Sequence, residues 1–192
     1  MHNGFISETG DSQQIFRKLL TAMAHPGTIL DTDLNLECPG SLNPATGAIL
    51  LTFLDFETTL WSDLDSGTPE IRWICFHTGA PVTPLENCAA FALVTDSGDL
   101  EDHSRFNPGT LEAPDHSTTL VIQVQELTDR GRIKLCGPGI ETENHLKLTG
   151  IRSGFLSQRT RMNENYPLGI DMIFTCGSRF TCLPRTTLVE VL

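Results

Sequence analysis

The stretch Thr119-Leu-Val-Ile-Gln-Val-Gln-Glu-Leu127 decides the fold of this chain. It begins as a continuous apolar run and passes into alternating apolar and polar residues, as in a strand that leaves a buried core. A second apolar run of strand length extends from Ala89 to Thr95. Continuous apolar strands of this kind are typical of a sheet that is covered by helices on both faces. The two runs therefore predict an α/β protein.

Three helices are predicted before these strands. The first spans about Ser12 to Ala24, because its apolar residues recur at the spacing of one helix face. The second begins after Asn43-Pro44, a pair typical of an N-cap followed by the first helical position. The third runs from Thr68-Pro69 to about His77.

The C-terminal half mixes hairpins with one more helix, which predicts a mixed sheet with helices on both sides. A turn at Arg130-Gly131 is predicted to return the chain as a hairpin. The elements predicted after it are strands at 132–136, 145–148, 170–175, 180–183 and 188–192, and a helix over about 151–163. A length of 192 residues fits a single domain over 1–192, with residues 1–11 as a flexible arm.

The charge balance excludes two classes of partner. The formal net charge is −11, from 13 Lys and Arg against 24 Asp and Glu. Such a surface repels nucleic-acid backbones and anionic membranes. The sequence also lacks the roughly 20 consecutive apolar residues of a membrane span, and its first residues do not resemble a signal peptide. We therefore expect a cytoplasmic protein.

Few residues offer metal or cofactor chemistry. The six cysteines form no Cys-x-x-Cys pair, so neither a structural zinc site nor a redox motif is predicted. The glycine-rich phosphate and dinucleotide motifs are missing. Only three lysines occur, and arginines concentrate in the C-terminal third. We expect no bound cofactor or metal, and an anionic ligand would be held by that arginine-rich third.

Two weak catalytic candidates come from histidines. Asp115-His116 lies in a predicted loop and could form a catalytic dyad or a pair that supports a metal ligand, but the sequence favours an exposed loop pair. His77 lies near the end of the third helix, where a histidine can interact with the helix dipole.

Asp171 is the most informative single residue. An aspartate that enters an apolar strand is costly unless it is paired or hydrogen-bonded. Its natural partners are Arg185 or the hydroxyls of Thr186 and Thr187. The sequence leaves two interpretations open: a structural ion pair between neighbouring strands, or a polar cluster at a subunit interface.

A series of motifs resembles, in its order and spacing along the chain, one known family, the H subunit of the carbon–phosphorus lyase core complex, or PhnH family. The motifs are Phe16-Arg17-x-Leu19-Leu20-x-Ala22-Met23, Pro26-Gly27, Phe76-His77-Thr78-x-Ala80-Pro81, Gly109-Thr110, Thr119–Val124, Gly137-Pro138-Gly139-Ile140, Pro167-Leu168-Gly169-Ile170-Asp171, Thr175-Cys176-Gly177 and Pro184-Arg185-Thr186-Thr187-x-Val189-Glu190-Val191.

The resemblance implies a three-layer α/β/α sandwich, distantly like the pyridoxal-phosphate-dependent transferases but lacking their cofactor. It also implies a homodimer that joins the G, I and J subunits and acts with the L protein. The resemblance further implies that the complex forms α-D-ribose 1-methylphosphonate 5-triphosphate from ATP and a phosphonate. This chain would then be structural or co-catalytic rather than catalytic alone, and no catalytic residue is carried over to it. Two alternatives stay open: a stand-alone hydrolase or transferase, and a vestigial small-molecule-binding regulator.

Overall fold

The computed structural model describes residues 2–98, 103–152, 154–156, 158–159 and 165–192. In this part of the chain the α-helices of ten or more residues are α1 Glu8–Ala24, α2 Pro44–Phe53 and α3 Pro69–Thr78. All three predicted helices are therefore present. Helix α1 begins four residues earlier than predicted. Ser7 is its N-cap residue, and the Asp11 carboxylate accepts a hydrogen bond from the Ser7 backbone at 2.9 Å.

The strands form a mixed six-stranded sheet and a smaller antiparallel sheet. Their bounds are β1 Leu30–Asp31, β2 Leu60–Ser62, β3 Phe91–Val94, β4 Thr119–Gln123, β5 Glu126–Cys136, β6 Asn144–Thr149, β7 Asp171–Cys176, β8 Arg179–Leu183 and β9 Leu188–Val191. The large sheet has the order β1-β8-β7-β4-β3-β2, and the small one β6-β5-β9. Strands β2, β3, β4 and β7 are parallel, whereas β8 and β1 are antiparallel to their neighbours. The predicted α/β class and mixed sheet are thus confirmed.

The stretch that decides the fold contains a change of sheet. Strand β4 ends at Gln123 in the large sheet, and β5 begins at Glu126 in the small one. Between them Val124 N donates to Thr175 O, and Gln125 N donates to Thr149 O, both at 2.9 to 3.0 Å. The change from an apolar run to alternation in the sequence marks this transfer.

The hairpin predicted at Arg130-Gly131 is wrong. Strand β5 continues through these residues to Cys136 and pairs with β6, with a register irregularity between Thr128 and Ile133. Gly131 permits the irregularity, because a Cβ there would lie 2.1 Å from Leu146 O. A glycine at a position where two strand backbones come close together can indicate a bulge as well as a turn.

The two faces of the large sheet bury separate cores. Along β4, Val121 packs with the three helices, whereas Leu120 and Ile122 point to the opposite face. Helices α1, α2 and α3 all contribute to the first core. The small sheet covers the second face together with Phe155 and Leu156.

Two predictions about segments are only partly testable. Within the helix predicted over 151–163, residues 155, 156, 158 and 159 are helical, and residues 153, 157 and 160–163 lie outside the described part. The flexibility predicted for residues 1–11 stays a prediction. Residues 8–11 form the first turn of α1, and Trp73 Nε1 donates to His2 O at 2.9 Å.

Candidate functional site

Asp171 and Arg185 form a tight ion pair at the start of β7. Arg185 donates to the two carboxylate oxygens through its backbone N at 2.7 Å and through Nη2 at 2.6 Å. Its Nε lies 3.4 Å from Oδ1. The side chains are 16% and 22% exposed for Arg185 and Asp171, so water screens the pair only partly. The predicted partnership of these two residues is present in the fold.

The β7–β8 hairpin explains why these two residues meet. Met172 of β7 pairs with Leu183 of β8. Asp171, which precedes Met172, therefore lies close to Arg185, which follows Leu183 by two residues. Gly169, two residues before Asp171, has φ 154°, and a Cβ there would lie 3.0 Å from Arg185 Cβ. The glycine therefore gives the arginine room to fold back over the strand.

Arg185 also reaches the loop that holds the histidine candidate. Its Nη2 donates to Ser117 Oγ at 2.6 Å, and its Nη1 donates to Pro114 O. Asp115 and His116 lie between these two contacts, in a short 3-10 helix, and both are exposed. The structure therefore brings this loop to the ion pair through Pro114 and Ser117, not through the Asp115 and His116 side chains.

A second arginine, Arg159, supports the same region from within the protein. Only 2% of it is exposed, and its guanidinium donates to Ile170 O at 3.1 Å, to Leu183 O at 2.9 Å and to Pro184 O. Burial lowers the pKa of Arg159 to about 10, while Asp171 acts in the opposite direction, so the side chain is charged at neutral pH. Because three backbone carbonyls accept hydrogen bonds from its guanidinium, Arg159 fixes the backbone on both sides of the ion pair. The sequence showed arginine enrichment here but not which arginine is buried.

Two other candidates stand apart from this centre. Thr186 is half-buried, and its hydroxyl has no hydrogen bond in the described part of the chain. His77 lies near the end of α3, where its ring packs edge-on against Trp73 and Phe76, and its Nε2 is 3.3 Å from His2 O. None of these described contacts of His77 reaches Arg185 or His116.

An apolar groove of about 270 Å³ adjoins the ion pair. Asp171 and Thr119 lie at its polar end, and its remaining walls are apolar side chains from α1, α2 and the large sheet. Phe16 and Leu20 on α1 are 44% and 54% exposed there. The Phe53 ring lies between Phe16 and Phe91, with centroid distances of 5.9 and 5.6 Å.

A buried polar network at the opposite ends of the parallel strands was missed by sequence reasoning. Gln123 Oε1 accepts from Asn43 N at 2.6 Å and from Thr46 Oγ1 at 3.0 Å, and its Nε2 donates to Ser41 O at 3.1 Å. The Thr46 hydroxyl also lies 2.7 Å from that of Thr175. Gln123 thereby ties Asn43, the N-cap residue of α2, to the end of β4, while Ala45 N in the first turn of the helix donates to Gly177 O at 3.0 Å.

The chemistry of the Asp171 site is that of a fixed charge cluster. Both oxygens of the Asp171 carboxylate already accept hydrogen bonds from Arg185, so the carboxylate is poorly placed to act as a base. Among the described residues no group of three His, Cys, Asp or Glu side chains could hold a metal ion. The same residues include no helix long and apolar enough to span a membrane.

Comparison with known proteins decides the family. A profile described as bacterial phosphonate metabolism protein (PhnH) matches residues 3–190. The chain belongs to the PhnH family. One similar protein is the alpha-D-ribose 1-methylphosphonate 5-triphosphate synthase subunit PhnH of Rhizobium meliloti (strain 1021), 34% identical over 97% of this chain and 94% of that protein. Another is the putative C-P lyase subunit protein HtxG of Stutzerimonas stutzeri, 31% identical over 93% of this chain and 86% of that protein.

Two of the C-terminal motifs that resemble the PhnH family meet at the ion pair. Pro167–Asp171 supplies the carboxylate and the glycine beneath it, and Pro184-Arg185 supplies the guanidinium. This part of the PhnH-family sequence therefore builds one charged corner of the fold, at the end of the sheet where β7 begins.

Proposed function

We propose that this chain is a subunit of an α-D-ribose 1-methylphosphonate 5-triphosphate synthase within a carbon–phosphorus lyase core complex. The observation on which the proposal depends is the match to the PhnH family over residues 3–190. Two relatives whose names give subunit roles in these assemblies align over nearly their full lengths, which supports transfer of the role. In this proposal the chain is structural or co-catalytic and acts in the cytoplasm.

The proposed partners are a second copy of the chain, the G, I and J subunits, and the L protein during the reaction. The exposed apolar side chains of Phe16 and Leu20 support a contact surface beside the Asp171–Arg185 pair, because such side chains cluster at protein–protein interfaces. Asp171, Arg185 and Thr186 would then stand at the border of that interface rather than in a reaction centre.

The three-layer arrangement and the distant likeness to pyridoxal-phosphate-dependent transferases belong to the same proposal. The helical residues Phe155 and Leu156, which pack in the second core, support a helical contribution to the face opposite α1, α2 and α3.

Co-expression with the G, I and J subunits tests this function. The chain is expected to co-elute with them as one assembly, and triphosphate synthesis by the assembly plus the L protein is expected to need it. Turnover of ATP and a phosphonate by the chain alone would contradict the non-catalytic role. Unchanged synthesis by an assembly that lacks the chain would contradict the subunit role.

The stand-alone enzyme alternative has a separate test. His77→Ala and His116→Ala are expected to leave the activity of the assembly unchanged, because neither imidazole takes part in the Arg185 cluster. Loss of activity in either variant, with assembly intact, would favour a catalytic histidine.

A further inference from the structure

A cavity of about 660 Å³ opens on the small sheet, away from the Asp171–Arg185 pair. Apolar and cationic side chains make up most of its lining. Apolar residues from β5, β6, β9 and the segment after β6 form its walls, namely Ile133, Leu146, Leu148, Ile151, Leu156 and Val191. Four cationic residues also line it, namely Arg130, Arg132, Lys147 and Arg152.

This concentration of positive charge is unusual for the chain. The whole sequence has 13 Lys and Arg and a net charge of −11, yet four of those 13 cations line one cavity. Lys147 is neutralised by Glu126, whose carboxylate is 2.8 Å from Nζ. Arg130 and Arg132 are exposed and form no ion pair in the part of the chain that the structure describes. Their charge is therefore available to an anionic ligand.

The backbone of β5 places these two arginines. They flank Gly131 within the register irregularity between Thr128 and Ile133. The missing Cβ of Gly131 allows the strand to approach Leu146 O closely, so the bulge is held against β6. Bulges of this kind often redirect side chains toward a site.

We infer that this cavity binds a nucleoside triphosphate, with the phosphates on Arg130 and Arg132 and the base against the apolar wall. Guanidinium groups bind phosphate oxygens through paired, charge-assisted hydrogen bonds. A cavity of a few hundred Å³ with mainly hydrophobic walls and a few polar groups has the size and character of small-molecule sites. A sugar phosphate alone would leave the apolar wall unfilled, whereas a planar base would cover it.

This inference rests on the proposed function, since a triphosphate synthase must hold a triphosphate. It adds that this chain itself contributes residues that bind the triphosphate. The named residues would recognise the ligand without supplying a base or a nucleophile, so the inference is compatible with a co-catalytic subunit.

Titration calorimetry of the full chain with ATP, inorganic tripolyphosphate and adenosine provides the test. The double variant Arg130→Ala/Arg132→Ala is expected to weaken ATP binding on the order of tenfold to a hundredfold, as the loss of charge-assisted contacts implies. The matched control is Arg17→Ala/Arg72→Ala, which removes two exposed arginines from α1 and α3 and should keep wild-type affinity. Higher salt should weaken binding to the wild-type chain.

The apolar wall has its own variant. Leu148→Ala is expected to weaken ATP binding and to leave tripolyphosphate binding unchanged. Tripolyphosphate that binds as tightly as ATP would overturn the inference in favour of a general polyanion site. ATP affinity that is unchanged in the arginine double variant, or equally reduced in the control, would also overturn it.

The outcomes separate this inference from the proposed function. A chain that assembles with its partners but binds no ATP would refute the nucleotide site and leave the subunit role standing. If the double variant folds but no longer joins the assembly, and the wild type binds no ATP, the cavity receives a partner subunit instead. A chain that binds ATP through these arginines but never assembles would contradict the proposed function alone.

Discussion

At the scale of single residues, the Asp171–Arg185 pair gives the sharpest stability prediction. Asp171→Ala leaves the Arg185 guanidinium without its carboxylate in a place where water reaches only 16% of the side chain. We expect a loss of about 2–4 kcal/mol in the free energy of unfolding, since breaking a largely buried pair exposes one partner to an uncompensated desolvation cost. Urea unfolding monitored by circular dichroism measures it.

Asp115→Ala is the matched control, because Asp115 is an exposed aspartate in the loop that contacts Arg185. Its effect should stay within about 0.5 kcal/mol. Equal effects of the two substitutions would mean that the ion pair contributes no more than an exposed charge.

Glu70 predicts a pH dependence. Its buried carboxylate accepts from Ser41 N at 2.8 Å and from Ser41 Oγ at 3.0 Å, and the backbone hydrogen bond from Ser41 is the main cause that lowers its pKa below 4.5. Because the pKa is lower in the folded than in the unfolded state, the ionised group stabilises the fold above about pH 4.5. This stabilisation declines as the pH falls through the folded-state value.

Glu70→Gln should therefore cost about 1.5–3 kcal/mol at neutral pH, the range for a hydrogen bond to a charged group. The difference from wild type should shrink below pH 4.5. The check is the free energy of unfolding from about pH 3 to 7, obtained at each pH by linear extrapolation of urea unfolding data to zero urea. The exposed Glu57→Gln is the control, and a parallel curve for Glu70→Gln across the whole range would refute the linkage.

At the scale of elements, the sequence predicted local structure well and pairing less well. The helices were predictable because Pro44 and Pro69 mark helix starts and apolar residues repeat at helical spacing. The hairpin at Arg130-Gly131 was mispredicted because a glycine pattern does not say whether the chain reverses or bulges. That choice depends on β6, which contacts Gly131 from about 15 residues further along the chain.

The polar contacts show the same limit. The partnership of Asp171 with Arg185 was predictable, since both flank strands joined by a short turn. Gln123 was not, because its partners Asn43 and Thr46 are separated from it by 80 and 77 residues. Only the packing of α2 on the ends of β4 and β7 shows that this glutamine contacts the start of a helix.

Gly131 therefore gives the prediction that belongs to the elements. Gly131→Ala would place a methyl group 2.1 Å from Leu146 O, and the three nearest atoms are all backbone of β6, which cannot move aside as a flexible side chain would. We expect a loss of about 1–3 kcal/mol, the range for overpacking. Thermal unfolding measures it, with Gly67→Ala as control because nothing lies within 4 Å of its added Cβ. A control that is as unstable as Gly131→Ala would show that strand packing is not responsible.

At the scale of the whole molecule, the question is which surface joins the chain to its assembly. The groove beside Asp171 exposes two large apolar side chains on α1, and the Phe16 ring also packs against Phe53. Leu20 is 54% exposed and is the better site to change, because its substitution should leave the aromatic contacts and the fold intact. An exposed apolar residue at an interface contributes to binding only when a partner covers it.

Leu20→Lys is therefore expected to keep the melting temperature of the isolated chain and to weaken its co-purification with the G, I and J subunits. A buried lysine at an interface core costs on the order of tenfold or more in affinity, because its charge is desolvated without a partner. Leu111→Lys is the control, since Leu111 is 72% exposed in a loop outside this groove. Size-exclusion chromatography with light scattering reads out both variants. Loss of assembly in Leu20→Lys alone would assign the α1 face to a subunit contact, whereas retention in both would move that contact to another face of the chain.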